Sequence, residues 1–161
     1  MIKEARYLGK DARAWAAMLA EGDPVLRRLA VFALGEIGAA GHGVAPALEI
    51  GLRDEINWVR VWAAAALARA TGDGRAVDVL IAEATAPEAF VRSLVAWHIG
   101  RLGGEFPGIE DGIDAVERLL EDPDRNVRTE ATLALQSLQS RGMPPSGAIF
   151  PLVVRSDPDR Q

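Results

Sequence analysis

The chain has 161 residues, of which 49% are hydrophobic and 25% charged, a balance typical of one globular domain and not of a disordered segment. Its net charge of −5 disfavours nucleic acid and anionic membrane surfaces as partners, because both attract basic proteins. The absence of cysteine excludes disulfides, thiolate nucleophiles and cysteine metal sites. Nearly all cations are arginine, which fits a bacterial source. With neither an apolar leader nor a run of about 18 apolar residues, we expect a cytoplasmic protein without a membrane segment.

A motif of one aliphatic residue followed by arginine occurs four times. The arginines are Arg27, Arg60, Arg92 and Arg128, at spacings of 33, 32 and 36 residues. If the residue before each arginine is position zero, positions zero, four, eight and eleven are aliphatic or alanine in every copy. These positions share one face of a helix at about 100° per residue. Each copy therefore predicts a helix with a buried face.

A second apolar helical pattern precedes each copy, and turns rich in Asp and Pro separate the two. This order predicts four antiparallel helical pairs, at residues 11–38, 44–72, 76–104 and 112–139. The predicted organisation is an N-terminal lead over 1–10, a repeat domain over 11–139 and a Pro-rich tail over 140–161.

The succession Asp-Pro, Val-Arg, Ala, Ala-Leu and Ile-Gly resembles HEAT repeats, of the subtype called phycobilisome-lyase-like, over about residues 11–139. The resemblance implies an all-α fold, a right-handed α-solenoid of about four antiparallel helical pairs whose second helices line a concave face. Stacking is also expected on physical grounds, because a single pair of helices cannot bury its own apolar face.

The chain offers few residues for catalysis. Its two histidines, His42 and His98, lack the spacing of metal ligands, and the sequence contains no phosphate-binding glycine loop. Deoxyhypusine hydroxylase, an enzyme built on similar repeats, holds iron with His-Glu pairs, and none of these can be placed here. We predict no catalytic residue, no metal and no cofactor. His98 is expected to be a hydrogen-bonded, partly buried residue.

Acidic residues recur in the turns before the second helices. The resemblance implies that these acids and the motif arginines form a ladder between repeats. Regular pairing of this kind ordinarily serves structure and not catalysis. The residues assigned to the ladder are Arg27, Arg60, Arg92, Arg128, Asp23, Asp54 and Asp122.

Positions two, six and nine of the second helices lie opposite the apolar face and are expected to form the concave surface. Only one of these twelve residues is charged, which is unusual for a solvated helix face and typical of a binding surface. Trp97 is the expected anchor, more exposed than its neighbour His98, with Trp62 intermediate. The predicted partner-binding residues are Arg28, Phe32, Val61, Ala65, Ser93, Trp97, Thr129 and Leu133.

The leading hypothesis is a non-catalytic interaction, scaffold or assembly module that binds a protein or peptide on its concave face. The tail contains an apolar run over 148–154. It could cap the last repeat, fold back into the groove of the same molecule, or enter the groove of a neighbouring molecule, and the last alternative would be self-association. The repeat subtype implies an alternative, a bilin lyase or lyase-like chaperone subunit for phycobiliproteins. Alkylpurine DNA glycosylases hold DNA on a similar but basic face, and the acidic composition disfavours nucleic acid here.

Overall fold

The computed structural model describes residues 5–39, 43–104 and 106–140. Over these ranges the chain forms a short hairpin and eight α-helices, which confirms the predicted all-α solenoid. The elements are β1 (Arg6–Tyr7), β2 (Lys10–Asp11), α1 (Ala12–Glu21), α2 (Pro24–Ala39), α3 (Ala45–Gly51), α4 (Asn57–Thr71), α5 (Arg75–Glu83), α6 (Ala89–Leu102), α7 (Ile109–Arg118) and α8 (Arg125–Gln139), with a 3-10 turn (Leu119–Glu121) after α7.

The helices form two layers. The even-numbered helices pack side by side, α2 on α4, α4 on α6 and α6 on α8, and each also packs on the odd-numbered helix before it. The predicted lead contains the antiparallel hairpin β1–β2, which lies against α1 and α2. The predicted tail lies outside the described residues, except for Ser140.

Local capping explains several helix ends. The Asp11 carboxylate accepts a hydrogen bond from the backbone N–H of Ala14 and begins α1. Asp124 begins α8 in the same way, by accepting from the N–H of Asn126. Gly72 ends α4 in the left-handed conformation, with φ of 69°, where a side chain would be strained.

The core consists of two apolar clusters that meet at α4. One cluster is built on the first two helical pairs and the other on the last two, and Trp58 and Trp62 pack against both. Val59, Val91 and Val127, at position zero, are fully buried, whereas Leu26 at the same position is 38% exposed. Within the described ranges no helical pair comes before α1 and α2, so Leu26 lacks the cover that an earlier pair gives to the other three residues.

Neighbouring even-numbered helices approach closely where glycine faces alanine. A Cβ added to Gly100 on α6 would lie 2.7 Å from the Cα of Ala134 on α8. At Gly35 on α2 an added Cβ would lie 3.1 Å from the Cβ of Ala66 on α4. Both contacts join position nine of one helix to position seven of the next, so these small residues set the spacing of the layer.

We predict that Gly100→Ala destabilises the protein. Alanine normally stabilises a helix interior over glycine by about 0.5–1 kcal/mol. Here the added methyl group would overlap backbone atoms of α8, and overpacking of this kind costs about 1–3 kcal/mol. Urea unfolding should therefore show a net loss of free energy of unfolding, and a gain would contradict the close contact.

Candidate interaction surface

Three motif arginines each reach an acid of the following helical pair. The pairs are Arg27–Asp54, Arg60–Glu83 and Arg92–Asp122, with nitrogen–oxygen distances of 2.8, 2.6 and 2.6 Å. The same arginines also donate hydrogen bonds to carbonyls of their own turn; Arg92 Nη1, for example, lies 2.8 Å from the carbonyl oxygen of Ala86. Each arginine therefore joins the turn of its own repeat to the next repeat.

One assignment to this ladder needs correction. Among the described residues Asp23 pairs with no arginine; it accepts hydrogen bonds from the backbone N–H groups of Val25 and Leu26 and so caps α2. Arg128 donates to carbonyls of its own turn, including that of Asp122 at 2.7 Å, but meets no acid among the described residues.

Glu83 is a ladder residue that the sequence analysis missed. The third repeat has Ala86 where the second and fourth have Asp54 and Asp122. The missing carboxylate is supplied from α5, three residues earlier, and it reaches Arg60. The Ala86 in place of an aspartate was the signal in the sequence that a nearby acid could take over this role.

We predict that Asp122→Ala destabilises the protein by about 2–3 kcal/mol, the loss typical of a hydrogen bond to a charged group. Both partners are largely buried, and the hydrogen bonds from Arg92 lower the pKa of Asp122 although burial opposes this. The control is Asp73→Ala, which removes a pair with the exposed Arg75 and should change thermal stability much less. Equal losses in the two variants would contradict a structural role for the ladder.

On α4 the exposed face is rotated from the predicted one. Solvent reaches Trp58, Trp62 and Arg69 on this helix, at positions minus one, three and ten, whereas Ala68 at position nine is buried. The rotation is about 70° at 100° per residue. Its cause is the side-by-side packing, in which position nine of one helix meets position seven of the next.

Burial of three side chains corrects part of the predicted partner-binding set. Val61, Ala65 and Ser93 are buried, so the expectation that a partner reaches them is wrong for this structure. The remaining residues of that set keep some exposure. Arg28, Phe32 and Trp97 are half-buried, and Thr129 and Leu133 are exposed.

Four aromatic side chains form a continuous row on the exposed face, which we call the aromatic row: Tyr7, Phe32, Trp62 and Trp97. Successive ring centroids lie 5.8, 5.9 and 5.9 Å apart, with interplanar angles of 72°, 72° and 54°. The row runs from the hairpin across α2 and α4 to α6. Tyr7 is positioned by Trp15, whose Nε1–H donates to its carbonyl oxygen at 3.1 Å. The helical periodicity predicted Phe32 and Trp97 on this face but not Tyr7.

Two arginines lie beside the aromatic row. The guanidinium carbon of Arg101 is 4.8 Å from the centroid of a Trp97 ring, within cation–π range. Arg69 reaches from α4 to α2, where its Nη2 lies 3.3 Å from the place of a Cβ at Gly35. Crowding by protein atoms and then the like charge of Arg101 lower the pKa of Arg69, and the charge of Glu36 acts in the opposite direction.

His98 lies beneath the aromatic row. It is 1% exposed, and its ring centroid is 4.6 Å from those of Trp62 and Trp97, with interplanar angles of 83° and 75°. Within the described part of the chain neither ring nitrogen has a hydrogen-bond partner, so the expected hydrogen-bonded, partly buried histidine is wrong. Near-perpendicular rings at this distance suit weak N–H···π contacts. These contacts offset part of the free-energy cost of burying an imidazole without hydrogen bonds.

Burial lowers the pKa of His98 well below its ordinary value, and the charges of Arg69 and Arg101 add to the effect. His98 is therefore neutral at pH 7. Because the unfolded chain binds the proton at about pH 6.5 and the folded one only at lower pH, acid favours unfolding.

We predict that the free energy of unfolding falls below about pH 6.5, with a contribution from His98 of up to about 1.4 kcal/mol per pH unit. His98→Phe keeps a planar ring and removes the titration, so denaturation between pH 7 and 5.5 should show a smaller slope in this variant. The slope is the diagnostic quantity, because repacking alone changes stability equally at every pH. Identical slopes would contradict a buried neutral imidazole.

Comparison with known families agrees with this architecture. The profile of HEAT repeats matches residues 12–98 and 77–159, and these overlapping matches cover most of the sequence. The protein belongs to the HEAT repeat family, whose members generally serve as protein-interaction scaffolds. The phycobilisome-lyase-like subtype is not confirmed. No curated protein matches the sequence.

Among the described residues, no helix combines the length and apolar character needed to cross a bilayer.

Proposed function

We propose that the protein is a non-catalytic scaffold or assembly module that acts in the cytoplasm and binds a protein or peptide segment along the aromatic row. The observation that carries the proposal is the row itself, a set of touching rings on the exposed side of the even-numbered helices. Aromatic side chains are the residues that most often dominate the energy of protein interfaces. Membership of the HEAT repeat family supports the same function.

The row is held in place before any partner binds. Each ring packs edge-on or tilted against its neighbours, so little side-chain freedom remains to be lost on association. Leu133, which is 50% exposed, occupies the same helix position as Phe32 and Trp97 on α8, the helix that packs beside α6. A partner segment can therefore run across several helices.

The bilin-lyase role implied by the repeat subtype stays a prediction. Incubation of the protein with a bilin and an apo-phycobiliprotein tests it, since covalent attachment would be seen directly. Self-association through the tail over 141–161 also stays a prediction, because those residues lie outside the described part of the chain.

Peptide selection tests the proposed surface. A random twelve-residue library displayed on phage is selected against the full chain, and enriched peptides are measured by fluorescence polarisation. We predict that Trp97→Ala weakens their binding by about 2 kcal/mol, roughly 30-fold, because it removes an anchor of the row.

The matched control is Ile50→Ala, which shortens an apolar side chain that is 54% exposed on α3, in the other layer. Binding to this variant should equal that of the unaltered protein. Trp97 is half-buried, so some loss of thermal stability is expected, and circular dichroism must show both variants folded at the assay temperature. Peptides that bind folded Trp97→Ala with unchanged affinity would contradict the proposal.

A further inference from the structure

Arg128 is held in the same way as Arg92 but lacks the carboxylate that Arg92 binds. In both residues Nη1 donates to two carbonyl oxygens of the preceding turn, at 2.8 and 2.9 Å for Arg92 and at 2.7 and 3.0 Å for Arg128. The Nε and Nη2 atoms of Arg92 bind the two carboxylate oxygens of Asp122 at 2.6 and 2.8 Å. Among the described residues, no acid lies within ion-pair distance of Arg128. Its guanidinium is therefore already positioned to receive a carboxylate.

A second observation concerns the apolar residue at position eight of the same helix. On the other even-numbered helices this residue is buried: Leu34 and Ile99 are fully covered, and Leu67 is 6% exposed. Leu135 on α8 is only half-buried. The first helix of the following pair contributes to the cover of Ile99, because a Cβ added to Gly112 on α7 would lie 3.5 Å from its Cγ2. The described ranges contain no helix after α8 that could do the same for Leu135.

The sequence of the tail repeats the turn that supplies the carboxylate to the ladder. Residues 122–125 read Asp-Pro-Asp-Arg, and residues 157–160 read Asp-Pro-Asp-Arg again. Asp157 follows Arg128 by 29 residues. In the two ladder pairs that use the first aspartate of a turn, the arginine and the acid are 27 and 30 residues apart. Asp157 therefore stands where the pattern places a partner for Arg128, and the family match through residue 159 includes this turn.

The same register brings a glycine and an apolar run to the residue that lacks cover. The two turns are 35 residues apart, and the residue 35 positions after Gly112 is Gly147. Glycine at this position would let the tail approach Leu135 as closely as α7 approaches Ile99. The apolar run over 148–154 follows at once and carries no charge. Burial of such a run against α8 is favoured by the hydrophobic effect.

We propose that residues 147–157 of this chain cover α8 as the first part of a fifth repeat, with the Asp157 carboxylate bound by Arg128 and the apolar run over Leu135. The inference concerns a surface other than the aromatic row and does not depend on the proposed function. A carboxylate that accepts from Nε and Nη2 forms a bidentate charged pair, which is stronger than a single neutral hydrogen bond. Because Pro151 disrupts a helix interior, the segment covers α8 without forming one continuous helix.

The segment is expected to come from the same molecule and not from a neighbour. Helix α8 ends at Gln139, and the eight residues from there to Gly147 can span up to about 26 Å. Leu135 lies four residues before the end of α8, only about 6 Å back along the helix. A short tether of this kind gives an effective concentration of about 1 mM, which exceeds that of a neighbouring molecule in dilute solution.

Thermal denaturation of the full chain tests the proposed ion pair. Asp157→Asn should lower Tm by about 4 °C, because a hydrogen bond between charged groups is lost. In protein that already carries Arg128→Gln, the same change should lower Tm by less than about 1 °C, since both changes remove one interaction. The control is Asp159→Asn, which makes the same charge change and keeps a side chain suited to N-capping, and it should leave Tm within about 1 °C in both backgrounds. Equal losses at the two aspartates, or an undiminished loss beside Arg128→Gln, would overturn the pair.

Disulfide formation tests the position of the segment and its source independently of stability. The chain has no cysteine, so Leu135→Cys combined with Gly147→Cys introduces its only two thiols. Oxidation should link these thiols within one molecule about tenfold faster than in the control pair Ile50→Cys and Gly147→Cys, because the exposed Ile50 lies on α3. Non-reducing electrophoresis separates linked monomers from linked dimers. Equal rates for the two pairs would overturn the site, and a linked dimer of the Leu135→Cys pair would overturn its occupation by the same chain.

Discussion

The contact between position nine of one even-numbered helix and position seven of the next determines the rest of the structure. Where glycine faces alanine, at Gly35–Ala66 and Gly100–Ala134, the helices lie close together. In the middle of the layer the equivalent residues are Ala68 and His98, and the contact between α4 and α6 is less extensive. The imidazole of His98 occupies space between α4 and α6 that the methyl group of an alanine would leave empty. Trp62 and Trp97 pack against it, so the candidate surface exists because one small residue is replaced by a large one.

The arginine ladder and the aromatic row lie on different parts of each repeat and have different roles. The ladder joins the turns of successive pairs through charged hydrogen bonds, for example between Arg92 and Asp122, and fixes how one pair sits on the next. With that orientation fixed, rings from separate helices meet in one line. Arg69 and Arg101 take part in no ion pair within the described structure.

The sequence predicted the fold because the same apolar spacing occurs four times, and a repeated pattern fixes both helices and stacking. Its prediction of the exposed face was wrong at Val61, Ala65 and Ser93, because the periodicity of one helix shows how it packs on its own partner, not on neighbours at both sides. Val61 and Ser93 are buried by that lateral packing. Arg69 and Arg101 escaped notice because an arginine at a helix end looks like ordinary solvated charge. Tyr7 reaches the row only through the hairpin, which no periodicity indicates.

The central claim is that partners bind over the α4–α6 junction, and the four tryptophans allow a direct test. Each gives one indole N–H signal in a proton–nitrogen NMR spectrum, and Trp15, Trp58, Trp62 and Trp97 are distributed over three helices. Addition of a peptide selected against the protein should shift the signals of Trp62 and Trp97 and leave that of the buried Trp15 unchanged. A peptide that saturates the protein without moving the Trp62 and Trp97 signals would contradict the account.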